Sequence, residues 1–371
     1  MKIHQLLTHG FTLVAAVFML SACGGQKRPD VIYLGGTIYT GNPEAPIAEA
    51  VATIGMRITY VGDANSVLAD THPKTRLVDL KGGAMYPGFI DTHTGALANG
   101  VDDALGTQIQ ASVQAYAKQG WTTIHAYNVL PENVRIMEDL AMARKLPVRV
   151  YNVLNQAGFE SLATYGPGVS PGGLVETRAI VLDVEKPLPP LGESGDIPTL
   201  PQLLKLALKQ HVQIMFKIPS TGFGALLDEV ELALDDSLPD ADPRWGLLYD
   251  PQVDPEELLR AMEMLEPSVL NTFKGEAQLQ AEPVYQAFVG KAPEKRQNIL
   301  EYMTLKAAKA GFRDDMIGSI EVGKLADFSI MSGDLLTLSD EELEGVTPVM
   351  TVIGGAQAWP PVEQKLPVFG E

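Results

Sequence analysis

The stretch Ala84-Met85-Tyr86-Pro87-Gly88-Phe89-Ile90-Asp91-Thr92-His93-Thr94-Gly95 constrains the fold more than any other part of the chain. An apolar run ends in Asp-Thr-His, the pattern of a short buried strand that delivers polar side chains at its C-terminal end. Pro87-Gly88 ahead of it marks a sharp turn, because proline fixes φ and glycine takes backbone conformations that other residues avoid. Side chains two apart on a strand share a face, so His93 and position 95 look the same way. At 95 the chain has glycine, which has no side chain to offer.

Around this stretch the pattern changes twice. Val31–Thr40 and Ala50–Val61 are rich in β-branched and aromatic residues and read as strands, with Gly55-Met56 as a hairpin break; Thr75–Leu80 adds another strand. From Trp121 onward strands alternate with helical periodicity, the signature of βα units on a parallel sheet. The strands are Trp121–Tyr127, Val148–Leu154, Arg178–Val184, Val212–Ile218, Arg244–Tyr249 and Ser268–Phe273. A helix runs from Pro131 to Lys145, another opens at Asp254-Pro255-Glu256-Glu257, and a third spans Arg296–Gly311. Gly166–Gly173 and Pro187–Pro198 are loops at the ends of the strands.

The Pro87–Gly95 segment resembles the first barrel strand of the amidohydrolase superfamily, written P-G-F-I-D-x-H-x-H. There the two histidines bind a catalytic divalent metal. Gly318-Ser319-Ile320-Glu321-Val322-Gly323-Lys324-Leu325-Ala326-Asp327 is similar to that family's G-S-I-x-x-G-K-x-A-D, and Val349–Gly354 resembles the last strand of its small β-sandwich. Gly120-Trp121-Thr122-Thr123-Ile124-His125 resembles the G-V-T-T-V-H of the N-substituted formamide deformylase branch, although the long insertion that follows the first strand there is missing. The resemblance implies an α/β chain with a (β/α)8-type, TIM-like barrel, complete or short of a strand, and a small β-sandwich from both chain ends. The expected division is 31–86 with 316–371 for the sandwich and 87–315 for the barrel.

Followed strand by strand, the resemblance leaves His93 as the one remaining metal ligand. Val181 takes the place of the family's lysine, Lys217 and Tyr249 those of two histidines, and Lys291 that of the catalytic aspartate. Catalytic zinc needs about three protein ligands and an open position, and a protonated lysine has no lone pair to give. The reading is of an amidohydrolase-like protein descended from hydrolases of non-peptide carbon–nitrogen bonds, with catalysis lost and a binding or assembly role kept. It expects no cofactor, and an amide-like small molecule as ligand. Two alternatives stand beside it. One is an active hydrolase holding Zn at a site rebuilt around His93, Asp91 or Asp183. The other is a metal-free hydrolase using a desolvated lysine. The candidate catalytic residues are Lys217, Lys291, Asp91 and Asp183, with an ion pair expected between at least one lysine and one aspartate. Each also has a plainer role: His93 and His125 as core histidines, the lysines as rim residues, Tyr249 as packing.

Lys2, the apolar Phe11–Leu20 and Leu20-Ser21-Ala22-Cys23 resemble a bacterial lipoprotein signal. That implies a signal peptide at 1–22, lipid on Cys23, a polar tether over 23–30, and a protein held at the outer membrane facing the periplasm. Cys23 is the only cysteine, so an internal disulfide is excluded. Asp+Glu number 46 against 28 Lys+Arg, a net charge of −18, which argues against nucleic acid as a partner.

Overall fold

A computed structural model describes residues 28–94, 97, 104–192, 195–219, 223–235, 242–265, 269–272 and 281–361. Two eight-stranded sheets organise them. The first begins with β1 (Val31–Tyr39), β2 (Ile47–Ile54), β3 (Arg57–Gly62), β4 (Arg76–Asp79) and β5 (Ala84–Pro87). The β2–β3 hairpin turns where the sequence suggests, with Gly55 at φ 54°. The second sheet holds β6 (Phe89–Thr94), β7 (Trp121–Val129), β8 (Arg149–Leu154), β9 (Gly168–Val169), β10 (Val175–Asp183), β11 (Gln213–Ile218), β12 (Gly246–Tyr249) and β13 (Val269–Thr272). The chain then returns to the first sheet as β14 (Phe328–Met331), β15 (Pro348–Ile353) and β16 (Ala356–Trp359).

The strand order of the first sheet is β16-β15-β14-β5-β1-β2-β3, with β4 on β1. Its closure across the chain is the antiparallel pairing of β14 with β5, Ser329 opposite Tyr86. Both chain ends therefore build one sheet over one core, in which Tyr33, Ile38, Val51 and Met85 from the first end pack with Ile320, Phe328, Ile330 and Val352 from the second. Asp30, at the end of the expected tether, is hydrogen-bonded into the sheet: its carbonyl accepts from the Arg76 N–H.

The second sheet runs β6-β7-β8-β10-β11-β12-β13, every neighbour parallel, with β9 added antiparallel to β10. It is a parallel half-barrel; among the described residues no strand joins β13 back to β6. Helices connect the strands and cover the outer face, and Ile180, Leu182, Ile214 and Phe216 point into that layer. Their starts follow the sequence. The helix Leu200–Lys209 opens on a Thr199/Gln202 capping box, and Asp254 Oδ1 caps Pro255–Leu265 by accepting from the Glu256 N–H (2.8 Å). The expected single helix over Arg296–Gly311 is instead Pro293–Glu301, a π-turn over Tyr302–Lys306, and Ala307–Ala310. This segment packs against the inside of the barrel: the Gln213 amide donates to the Ala310 carbonyl (2.8 Å).

Candidate functional site

Alternation along the barrel strands decides which residues meet. On β10, Ala179 and Val181 face the interior, and Asp183 follows at the same spacing; on β11, Met215 does so and Lys217 follows. The two strands pair in register with Asp183 opposite Lys217. Lys217 Nζ lies 2.8 Å from Asp183 Oδ2, with side-chain exposures of 25% and 8%. Exposed Lys186 approaches the same oxygen at 3.6 Å, and the Glu185 N–H donates to Asp183 Oδ1 at 3.3 Å. Burial pushes the Asp183 carboxyl up, but the hydrogen bond and charge of Lys217 outweigh it and hold the group below the usual carboxylate range. The expected lysine–aspartate pair is thus present, at the C-terminal ends of two central strands.

The other expected residues lie elsewhere. Asp91 is half-buried on β6, and after burial its charge helps push Tyr116 up to about 12 and raises Tyr127 as well. Lys291 does not join the pair. It sits exposed after a short 3₁₀ turn, where the Arg296 guanidinium binds its carbonyl (2.9 Å). That segment docks at the N-terminal end of β7, since the Val284 N–H donates to the Gln119 carbonyl and the Trp121 indole to that of Glu282. No strand delivers Lys291 to the barrel mouth, so the motif that seemed to place it there does not form one. His93 lies on β6 with its side chain outside what is described; Gly95 and Cys23 lie outside the described residues altogether.

His125 is a core residue, 2% exposed on β7, its ring 4.7 Å from that of Tyr151. Its Nδ1 has no hydrogen-bond partner, and burial pushes its pKa down to about 3. Tyr249 is half-buried at the end of β12, opposite Ile218.

Sequence reasoning missed the principal buried charges. Arg149 on β8 holds Asp327 through two bonds, Nε–Oδ2 at 2.6 Å and Nη2–Oδ1 at 2.9 Å, with both side chains at most 5% exposed. Asp327 Oδ1 also accepts from the Gly354 N–H (2.7 Å), so the Gly318–Asp327 motif fastens the barrel to the first sheet. The signal was a lone arginine in the apolar run Val148–Leu154. A second cluster joins Glu176 to Arg178 (3.1 Å) and Arg313 (3.2 Å).

The fold is shared with known hydrolases. A metal-dependent hydrolase from Pyrococcus furiosus, 14% identical, superposes with a TM-score of 0.62 over 83% of this chain and 100% of its own. An adenosine deaminase from Xanthomonas campestris with bound zinc, 15% identical, gives 0.60 over 89% and 93%. The Amidohydrolase family model matches residues 291–358, the stretch that carries Gly318–Asp327, β14, β15 and most of β16. Over that segment the chain is similar to the amidohydrolase family, and across the rest it shares the fold of metal-dependent hydrolases. In sequence it is also 26% identical over 152 residues to the exoenzymes regulatory protein AepA of Pectobacterium carotovorum subsp. carotovorum, a match covering 36% of this chain and spanning a third of that relative's length.

The likeness to metal-dependent hydrolases raises the question of a divalent metal, which the described side chains of the barrel interior address. The apolar part of the barrel interior is Tyr127, Tyr151, Val153, Ala179, Val181, Met215 and Leu248, packed with Ala310; His125 and Gln213 are the polar groups against Tyr151. Val181, Met215 and Leu248 offer no hard donor where ligands would stand, and among the described residues there is no group of three or more His, Cys, Asp or Glu able to hold a metal. The described interior does not fit the metal centre of such hydrolases.

Proposed function

We propose that this chain is an exported, lipid-anchored amidohydrolase-like protein that has exchanged metal-dependent hydrolysis for a binding or assembly role at the barrel mouth. The observation that carries the reading is the content of the inward positions: Val181, Met215 and Leu248 packed together, with Lys217 on Asp183 beyond them. Catalytic ligands at those positions would have to be lone-pair donors. Metal-free lysine chemistry draws no support from Lys217, because its ammonium is engaged by a carboxylate and a quarter exposed. In this reading the ancestor lies in the N-substituted formamide deformylase branch, and the two-ended sheet is the family's small β-sandwich. A regulatory name on one partial relative agrees with a non-catalytic role.

The test is metal content and turnover together. Protein purified without chelator should carry far less than one zinc per chain and should hydrolyse neither N-formyl nor N-acyl amines with or without added zinc. Stoichiometric zinc with turnover overturns the reading. For the anchor, Cys23→Ser should move the protein from the membrane to the soluble fraction or block its processing. Unchanged membrane association of that variant sinks the lipoprotein part alone.

A further inference from the structure

The described chain enters the first sheet at Asp30, whose N–H donates to the Thr53 carbonyl (2.8 Å) and whose Oδ2 accepts from the Gly55 N–H (2.7 Å). Cys23 precedes Asp30 by seven residues, which span at most about 25 Å however they run. A bilayer that holds a lipid on Cys23 must therefore come within that reach of this edge of the sheet.

The edge is a continuous surface. The start of β4 joins it through the Arg76 N–H on the Asp30 carbonyl, and the 321–325 loop through reciprocal bonds between Ile58, Gly323 and Lys324 (both 2.9 Å). Arg57 binds the Gly323 carbonyl at 2.7 Å. Two large apolar side chains stand out from it, Met56 at 51% and Val322 at 64% exposure. Around them Arg28, Arg57, Lys74 and Arg76 are exposed. The carboxylates here are fewer: Asp30, which accepts from the Gly55 N–H, Glu321, which pairs with Lys324 (3.3 Å), and exposed Asp70. A chain of net charge −18 is repelled by an anionic membrane except where its surface turns locally basic.

We infer that this edge is the face the protein lays against an anionic phospholipid bilayer, with Met56 and Val322 at the headgroup boundary and Arg28, Arg57, Lys74 and Arg76 toward the phosphates. The inference rests on the lipid anchor proposed above. Interfacial apolar side chains add binding to a lipid chain, and nearby basic residues add more on anionic lipid. The outer barrel helices offer a contrast. Leu232 and Leu259 are as exposed, at 64% and 55%, but Arg260 between those helices is neutralised by Asp228 and Glu231.

The lipidated full chain, reconstituted in vesicles of phosphatidylethanolamine and phosphatidylglycerol, tests this. Cys23 carries the lipid, so Met56→Cys, Val322→Cys and Leu259→Cys each provide one thiol for an environment-sensitive fluorophore. Labels at 56 and 322 should shift to the blue and be quenched several-fold more by brominated lipid than the label at 259. Adding Arg57→Glu and Arg76→Glu should reduce that quenching on phosphatidylglycerol. Equal quenching at the three positions, or none at 56 and 322 with lipid on Cys23 verified by mass spectrometry, overturns the docking face. Absence of lipid on Cys23 overturns the anchor, and the docking face with it.

Discussion

Lys217 and Asp183 are register partners on adjacent parallel strands, and their charged ends meet at 2.8 Å just where the apolar filling of the barrel stops. The pair occupies the depth at which the barrel gives way to solvent, which is why Asp183 is buried while Lys217 keeps a quarter of its surface. Two cations share one carboxylate there, so Lys186 can partly screen Asp183 when Lys217 is lost.

Lys217→Ala should therefore cost about 1–3 kcal/mol, below the range for severing a fully buried pair. Urea unfolding at neutral pH measures it. Adding Asp183→Asn should recover part of the loss, since no carboxylate is then left unpaired. The pH dependence has a defined sign. Asp183 is held below its ordinary value of about 3.9, so its contribution is present above that value and fades as pH falls through the lower, folded one. Lys217→Ala should flatten this acid limb; an equal loss at pH 3 and pH 7 would remove the pair from the account.

His125 acts on a different stretch of the pH axis. Its folded pKa of about 3 lies below the ordinary value of about 6.5, so the unfolded chain takes up the proton first. Stability from this residue is complete above about 6.5 and declines as pH drops toward 3, by several kcal/mol in all. His125→Leu should remove most of that slope at little cost near pH 7, because Nδ1 gives up no hydrogen bond. Thermal midpoints from pH 7 to pH 4 would show it, and an unchanged slope in the variant would contradict the assignment.

Arg149→Met should destabilise the protein by about 3–5 kcal/mol, because it strands Asp327 in a site that is 5% exposed. Arg149→Met with Asp327→Leu should regain part of that loss. Guanidinium unfolding of the two variants and the parent is the measurement, and a cost under about 1 kcal/mol for the single change would mean that the junction relaxes around the charge.

Ending the chain at Gly318 removes β14, which lies between β5 and β15, and with it Phe328 and Ile330 from the core they share with Tyr33 and Met85. The truncated chain should be insoluble or fail to unfold cooperatively. A soluble fragment with a sharp melting transition would show that the first five strands stand alone.

Local chemistry made much of this fold legible in advance. Gly55 at its positive φ, the Asp254 cap and the alternation of strands with helices are written into neighbouring residues, so periodicity and turn chemistry recover them. The Gly318–Asp327 motif likewise announced that the far end of the chain completes the first sheet. What the sequence left open depends on contacts between distant residues. Arg149 meets Asp327 across 178 positions, and nothing in either neighbourhood names the other. Lys291 sits beside a motif-like Ala287–Pro293, yet the chain there makes a 3₁₀ turn against Gln119 and Trp121 instead of a strand. Lys217 and Asp183 were legible as polar ends of apolar strands, but only the parallel register set them opposite one another, because pairing between strands is fixed by how the whole sheet packs.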